Sequence, residues 1–298
     1  MKTSLVTGGA GFIGSHLVDK LLNLGHRVIV IDNESSDGHD EYYWNKEAVN
    51  HKLDIRDYDS IFPVFQGVDY VYHLAAKASV QASVDNPIPT IQTQVLGTIN
   101  VLESARLHGV EKFVYSSTSA CYGNKNAIPN NETMREDPLN AYAIGKLSGE
   151  QLVKSYYGLY GLKTVAFRYT NVYGERARHV GTYAPAVSKF LKMRAEGDAL
   201  TIFGDGKQRR DFIHVSDVVN ANAVISFEEL DSWGEVYNIG YGKNWSIQEI
   251  ADSICEEQIH LSGRPGEMRE TLADIGKAKA ELTWKPKVNI LDWIKTQP

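Results

Sequence analysis

Over the first 120 residues, short unbroken apolar runs alternate with longer stretches in which apolar residues return every three or four positions. The runs are Ser4-Leu5-Val6, Val28-Ile29-Val30-Ile31, Val68 to Leu74 and Phe113-Val114-Tyr115. They are continuous instead of alternating, which predicts strands buried on both faces of a parallel sheet. The stretches between them predict the helices of βαβ units, covering both sides. Ile91, Val95, Ile99 and Leu102 recur at helical spacing and predict a single helix. Ala141 to Tyr157 predicts another after the breaker Pro138, and Lys163 to Arg168 a further strand. Beyond Tyr173 the chain turns to Gly, Arg and aromatic residues with shorter apolar runs. The expected fold class is α/β, a Rossmann-type doubly wound parallel sheet with a smaller C-terminal α+β lobe.

The 298 residues carry 31 Lys and Arg against 37 Asp and Glu, a formal charge of −6. Such a chain has no general attraction for nucleic acid or an anionic membrane, so any bound anion must be held by local groups. Cys121 and Cys255 are too far apart to read as a metal or redox motif; no metal and no disulfide framework are expected, which fits a cytoplasmic protein. Glycines at 8, 9, 11 and 14 interrupt any N-terminal apolar core. No stretch approaches the roughly 18 apolar residues of a membrane span, so neither a signal peptide nor a span is expected.

Gly8-Gly9-Ala10-Gly11-Phe12-Ile13-Gly14 follows the first strand and opens a helix through Leu17, Val18, Leu21 and Leu22. This GxxGxxG spacing differs from GxGxxG by one residue, but the physics is shared: a tight turn, close backbone approach, and helix N-terminal N–H groups aimed at a pyrophosphate. Alone it reads equally as a strand-to-helix turn with no ligand. Asp32 separates the two readings, because it ends the second strand where a carboxylate accepts hydrogen bonds from both adenosine ribose hydroxyls and repels a 2′-phosphate. Asn33-Glu34-Ser35-Ser36 supplies no Arg to receive that phosphate, so NAD is favoured over NADP. Asp54-Ile55 after the third run are candidates for the adenine, Asp54 reading also as a helix cap. His73-Leu74-Ala75-Ala76 ends the fourth strand at the same sheet edge, where the small alanines let a dinucleotide lie flat.

Tyr142 and Lys146 stand at i and i+4, on one face of a helix. A solvated pair would look the same in isolation, but this one follows a dinucleotide fingerprint and the hydroxyl cluster Ser116-Ser117-Thr118-Ser119, which leaves the fifth strand at the ligand-binding edge. A tyrosine acting as a base near neutrality must fall some three units from its usual value of about 10, worth about 4 kcal/mol. Lys146 and a positively charged nicotinamide are the groups able to supply it.

Together these residues resemble the extended short-chain dehydrogenase/reductase family and, within it, the nucleotide-sugar 4-epimerases similar to UDP-glucose 4-epimerase. The resemblance covers nearly the whole chain. It continues through Arg168-Tyr169-Thr170-Asn171-Val172-Tyr173-Gly174, Arg210 to Val215 and Arg264-Pro265-Gly266-Glu267. It implies an NAD-binding domain over residues 1–172 and a nucleotide-sugar lobe over 173–298, with strand and helix returns to the large domain. It implies cofactor contacts from Gly8, Gly11, Phe12, Ile13, Gly14, Asp32, Asn33, Asp54, Ile55, Leu74, Ala75, Ala76, Ser116, Tyr142, Lys146 and Tyr169. In such enzymes the tyrosine removes the proton of the sugar 4-hydroxyl while hydride passes to NAD⁺, and the resulting ketone turns over to take the hydride on its other face. Thr118 matches the hydroxyl that bonds the 4-oxygen, and Lys146 also holds the nicotinamide ribose. Asn171, Arg210 and Arg264 match positions that hold the nucleoside diphosphate, and Phe203 the aromatic near the nucleobase. The simpler alternatives are an Arg210–Asp211 salt bridge, a solvated Arg264 and a core Phe203. His214 and Asp217 read as structural hydrogen-bonding residues.

Relatives that dehydrate or decarboxylate the ketone carry an acid two positions after the threonine, where this chain has Ala120. That favours epimerisation over a dehydratase, a reductase or a non-catalytic NAD sensor. Thr271 stands where glucose-restricted relatives often have a bulky tyrosine, leaving room for an N-acetyl group, so both UDP-glucose/galactose and UDP-N-acetylglucosamine/galactosamine are candidate substrates. Gln94 departs from a usual asparagine, a change expected to alter the helix that supports Lys146, and the chain ends at Pro298, ahead of the longer tail of many relatives. The resemblance further implies a homodimer joined through Ile91 to Leu107 and Ala141 to Tyr157, a stripe that intramolecular packing would equally explain.

Overall fold

The computed structural model describes residues 1–36, 41–178, 185–263 and 268–298. Strand β1 (Thr3–Thr7) runs through the glycine turn into α1 (Phe12–Asn23), followed by β2 (Arg27–Asp32), β3 (Val49–Lys52), α2 (Tyr58–Ile61) and β4 (Tyr70–His73). Helices α3 (Val80–Asp85), α4 (Pro87–Ile91) and α5 (Thr98–Leu107) precede β5 (Lys112–Thr118), α6 (Ala141–Tyr160), β6 (Lys163–Tyr169) and β7 (Asn171–Tyr173). The remainder holds α7 (Ala186–Glu196), β8 (Leu200–Phe203), β9 (Arg209–His214), α8 (Val215–Val224), β10 (Glu235–Ile239), β11 (Asn244–Ser246), α9 (Ile247–Asp252), β12 (Gln258–Leu261), α10 (Gly276–Glu281) and α11 (Ile290–Lys295).

Seven parallel strands form the main sheet in the order β10-β6-β5-β4-β1-β2-β3. The unbroken apolar runs are explained by cover on both faces. Leu5, Ile29, Val71 and Phe113 enter one core, while Val6, Val30, Tyr72 and Val114 enter the other. Burying each such side chain is worth about 1.5–3 kcal/mol. Strand order reverses between β1 and β4, so the loops leaving their carboxyl ends part and open a crevice there.

A third core, containing Tyr173, Phe190, Phe212 and Trp245, holds the three-stranded sheet β11-β9-β7 and the pair β12-β8 together. Between those pieces the chain returns to the large sheet: β10 pairs with β6, and Val218, Ala221 and Ile225 pack in the same core as Leu17 and Leu21 of α1.

The single helix expected across Ile91 to Leu102 is instead interrupted by a π-helical segment, Gln92–Gly97. The Thr98 hydroxyl donates to the Gln94 carbonyl at 2.6 Å, satisfying an acceptor in the widened turn. A Cβ on Gly97 would lie 2.5 Å from Ile55, so the turn also lets the backbone approach β3's following loop. The extra residue shifts the helix phase: Gln94, Thr98, Val101 and Leu102 are buried, while Leu96 and Ile99 face outward.

Candidate active site

Three loops meet at the crevice. After β1, Gly8 adopts φ +71°, and a Cβ there would lie 2.8 Å from the Ala75 nitrogen on the loop after β4. Gly14 approaches the first turn so closely that its Cβ would lie 2.0 Å from the Gly8 carbonyl oxygen. The cavity left between these loops, about 340 Å³, is lined by Gly8, Gly11, Phe12, Ile13, Gly14, Asp32, Asn33, Ile55, Leu74, Ala75 and Ala76. The N-cap of α1 is Gly11, so no side chain caps the helix and its first turn carries no acid. Its N–H groups are left to an anion in the cavity. Asp32 at the end of β2 is oriented by the N–H groups of Ala10 (3.1 Å) and Glu34 (2.8 Å). A bare backbone cradle, helix donors and a strand-end carboxylate are the donor set a dinucleotide requires, and the residues fit it.

Asp54, the candidate adenine contact, is bonded to Asn33 of the cavity wall. Its carboxylate accepts from Arg56 at 2.6 and 2.9 Å and from Asn33 Nδ2 at 2.9 Å, and the Arg56 guanidinium, more than any other group, holds it down at about 2. It orients Asn33, and its neighbour Ile55 lines the cavity. The cap of α2 is Asp57.

Thr118, Tyr142, Tyr169, Asn171 and Arg210 line a second cavity of about 290 Å³, together with Ala120 and Thr271. Thr118 ends β5, and Tyr142 sits in the first turn of α6, whose N-cap Asn140 accepts from the Ala143 N–H at 3.0 Å. Burial raises the Tyr142 phenol above its usual value, and a hydrogen bond with Thr118 opposes the rise. Lys146, one turn further, is buried and donates to the Ser116 carbonyl at 2.7 Å. Burial depresses it to about 8. The Ser116 hydroxyl turns away to the Tyr169 hydroxyl at 3.0 Å, which also bonds Asn222.

Asn171 and Arg210 also line a third cavity of about 210 Å³ that contains Phe203, Lys189 and Gln208. Ala78 is shared by the first and second cavities, and Pro185 by the first and third, so the three adjoin. Arg210 and Asp211, consecutive on β9, point to opposite faces. The buried Asp211 carboxylate receives the N–H groups of Tyr241 (2.8 Å), Gly242 (3.2 Å) and Ala273 (3.2 Å), yet burial still raises it to about 6. Its bonding accounts for it as a brace of the small lobe. His214 caps α8 through the Ser216 N–H, and Asp217 accepts from the N–H groups of Lys287 and Val288. Arg264 lies outside the described residues.

Gln94 is buried in the π turn, its amide donating to the Lys77 carbonyl at 3.1 Å, and a Cβ on Gly145 would lie 2.3 Å from its oxygen. The longer side chain thus packs onto the residue preceding Lys146, which still reaches Ser116. Sequence reasoning missed Tyr42, Thr93 and Arg178 in the first cavity and Lys189 in the third, 5.7 Å over the Phe203 ring. It also missed Glu150, buried against Ser117, although the spacing Tyr142, Lys146, Glu150 at i, i+4 and i+8 was a signal for it.

The family model described as NAD dependent epimerase/dehydratase family matches residues 4–240. The UDP-glucose 4-epimerase of Mycolicibacterium smegmatis is 36% identical over 305 residues, covering 98% of this chain and 96% of that protein. A UDP-N-acetyl-alpha-D-glucosaminuronate decarboxylase of Bacillus cytotoxicus is 39% identical over 274 residues, covering 88% and 82%. The crystal structure of UDP-glucose 4-epimerase from Thermotoga maritima, with UDP-glucose, is similar with a TM-score of 0.92 at 37% identity over 99% of this chain and 97% of that one.

Proposed function

The chain belongs to the NAD dependent epimerase/dehydratase family, and from that premise we propose that it inverts C4 of a UDP-hexose through a 4-keto sugar. The observation that carries the reading is the sharing of one cavity by Thr118, Tyr142, Asn171 and Arg210, with Lys146 beneath it and the dinucleotide cradle adjoining. Phe12 to Gly14 and Asp32 would hold NAD, which when bound supplies a reversible hydride acceptor. Thr118 and Tyr142 grip the sugar 4-oxygen, and Tyr142 takes its proton and later returns it. Asn171 and the Arg210 guanidinium hold the diphosphate. Ala120 is the reason for preferring inversion to elimination or decarboxylation, because among the described residues lining this cavity there is no carboxylate to act as a further acid or base.

Thr271 lies in the same wall as Met268, Leu272 and Ala273, and its hydroxyl accepts from the Asp211 N–H at 3.4 Å. Its small side chain supports a pocket open to an N-acetyl group at C2. Proton NMR of the purified protein with UDP-glucose and, separately, UDP-N-acetylglucosamine tests both points. The anomeric signal of the galacto isomer is expected in each tube with no net NADH. A deoxysugar or steady NADH accumulation would overturn the assignment.

We infer further that the protein is a homodimer. Leu96 (47% exposed), Ile99, Leu107, Ile144 and Leu159 (71%) stand outward on the π segment, α5 and α6, which pack against one another. So many large apolar side chains on adjoining helices support a surface covered by a second copy. The double variant Leu96→Glu/Ile99→Glu is expected to run as a monomer in sedimentation analysis while the wild type runs as a dimer. A monomeric wild type would defeat the inference. No helix among the described residues is long and apolar enough to cross a membrane.

A further inference from the structure

Lys146 and Glu150 stand one turn apart on one face of α6, and both reach the end of β5. Lys146 Nζ donates to the Ser116 carbonyl at 2.7 Å, and the Ser117 hydroxyl donates to Glu150 Oε1. The Ser116–Ser117 peptide, immediately before Thr118, is therefore held by α6 at two successive points. Glu150 is itself fixed from β6, where Arg168 donates through Nε at 2.9 Å and Nη2 at 2.6 Å, and Nη2 reaches Glu136 at 2.9 Å. Glu150 is 2% exposed and Arg168 1%, so water screens neither charge.

We propose that Glu150 is a positioning residue of this active site, aligning the Ser116–Thr118 edge through Ser117 and serving as the buried counter-charge to the Lys146 ammonium. The inference rests on the reading of Tyr142 and Lys146 as the acid–base pair. The other groups facing the ammonium do not supply a negative charge. The Tyr115 ring lies 5.1 Å from Nζ, and burial raises its phenol well above the ordinary value. Burial holds His73 neutral, at about 3, and raises the Cys121 thiol to about 12. Burial likewise keeps the resting Tyr142 phenol neutral, and Arg168 adds a second cation. Lys146 is already pulled down to about 8 by burial, an effect that the Glu150 carboxylate opposes. Without Glu150 it would lose its proton below that value and no longer support a Tyr142 phenolate.

The test follows kcat of the NAD-loaded protein against pH for wild type, Glu150→Gln, Glu150→Asp and Ser117→Ala. In parallel, the ε-carbon resonance of Lys146 is titrated in lysine-labelled samples and assigned with Lys146→Arg. Glu150→Gln is expected to move both the alkaline limb of kcat and the Lys146 titration down by about one unit, with KM for the sugar within about twofold. Glu150→Asp is expected to restore the limb. Ser117→Ala is expected to leave the limb in place and lower kcat by roughly three- to tenfold through misalignment. An unmoved limb and titration in Glu150→Gln would overturn the proposal. Where that variant does not fold, a wild-type kcat in Ser117→Ala would do so. If the wild type turns over neither sugar, the epimerase reading has failed, and the lysine titration still decides whether Glu150 is the counter-charge.

Discussion

Tyr142→Phe is expected to lower kcat for C4 inversion by about 10³, within the 10²–10⁴ that a positioned acid–base group contributes, while the protein keeps its bound NAD. The reasoning starts from the resting site, where burial raises the Tyr142 phenol and Lys146 is engaged with the Ser116 carbonyl at 2.7 Å. The phenol is thus poised to be acidified only when positive charge accumulates beside it. Losing the hydroxyl removes the proton carrier without disturbing Phe12 to Gly14, Asp32 or Leu74 to Ala76, which form the cofactor cavity. Epimer formation by anomeric proton NMR and extracted cofactor per subunit give the two readouts. Turnover within tenfold of wild type would remove Tyr142 from the mechanism.

The same pair sets a pH dependence. Lys146, depressed by burial to about 8, loses its charge above that pH, so activity is expected to fall on the alkaline side. Stability moves the other way: between about pH 8 and 10.4 the unfolded chain still binds the proton that the folded chain has released, so stability rises with pH across that window. Below about pH 8 both states are protonated, and the fold bears the full cost of the buried ammonium.

Gly14→Ala is expected to be the most damaging substitution in the cofactor loop. Its new methyl would sit 2.0 Å from the Gly8 carbonyl oxygen and 2.9 Å from the Gly9 Cα, and both obstacles are backbone atoms. Relief requires α1 to move away from β1, which costs roughly 3 kcal/mol and spoils the aim of the helix N–H groups. A melting temperature lower by about 6–10 °C and protein isolated without NAD are the expected results. A variant that retains NAD and melts within a degree or two of wild type would show that the turn yields cheaply.

The sheet was legible because each β strand buried on both faces must be apolar at successive positions, and those runs coincide with β1, β2, β4 and β5. Helix α6 was expected from Ala141 to Tyr157 and runs to Tyr160, where Gly161 takes a left-handed cap. The interruption before α5 was not legible. It depends on Gly97 meeting Ile55 and on Thr98 taking the Gln94 carbonyl, and the Ile55 contact crosses more than forty residues of chain. Asp54 shows the same limit, since its carboxylate is held by Arg56 and Asn33, pairings that residue identity alone does not select.

What the sequence by itself determined were features written into local backbone geometry: the glycine turn opening a helix, Asp32 at a strand end, and Tyr142 and Lys146 one helical turn apart. Each follows from spacing over a few residues. Only the tertiary structure decided how these fragments face one another. It placed Asn171 and Arg210 between the Tyr142 cavity and the Phe203 cavity, and it buried Lys146 above the Glu150–Arg168 pair. The physical reason is that proton affinity and reach depend on burial and on partners drawn from distant strands, which no short stretch of chain encodes.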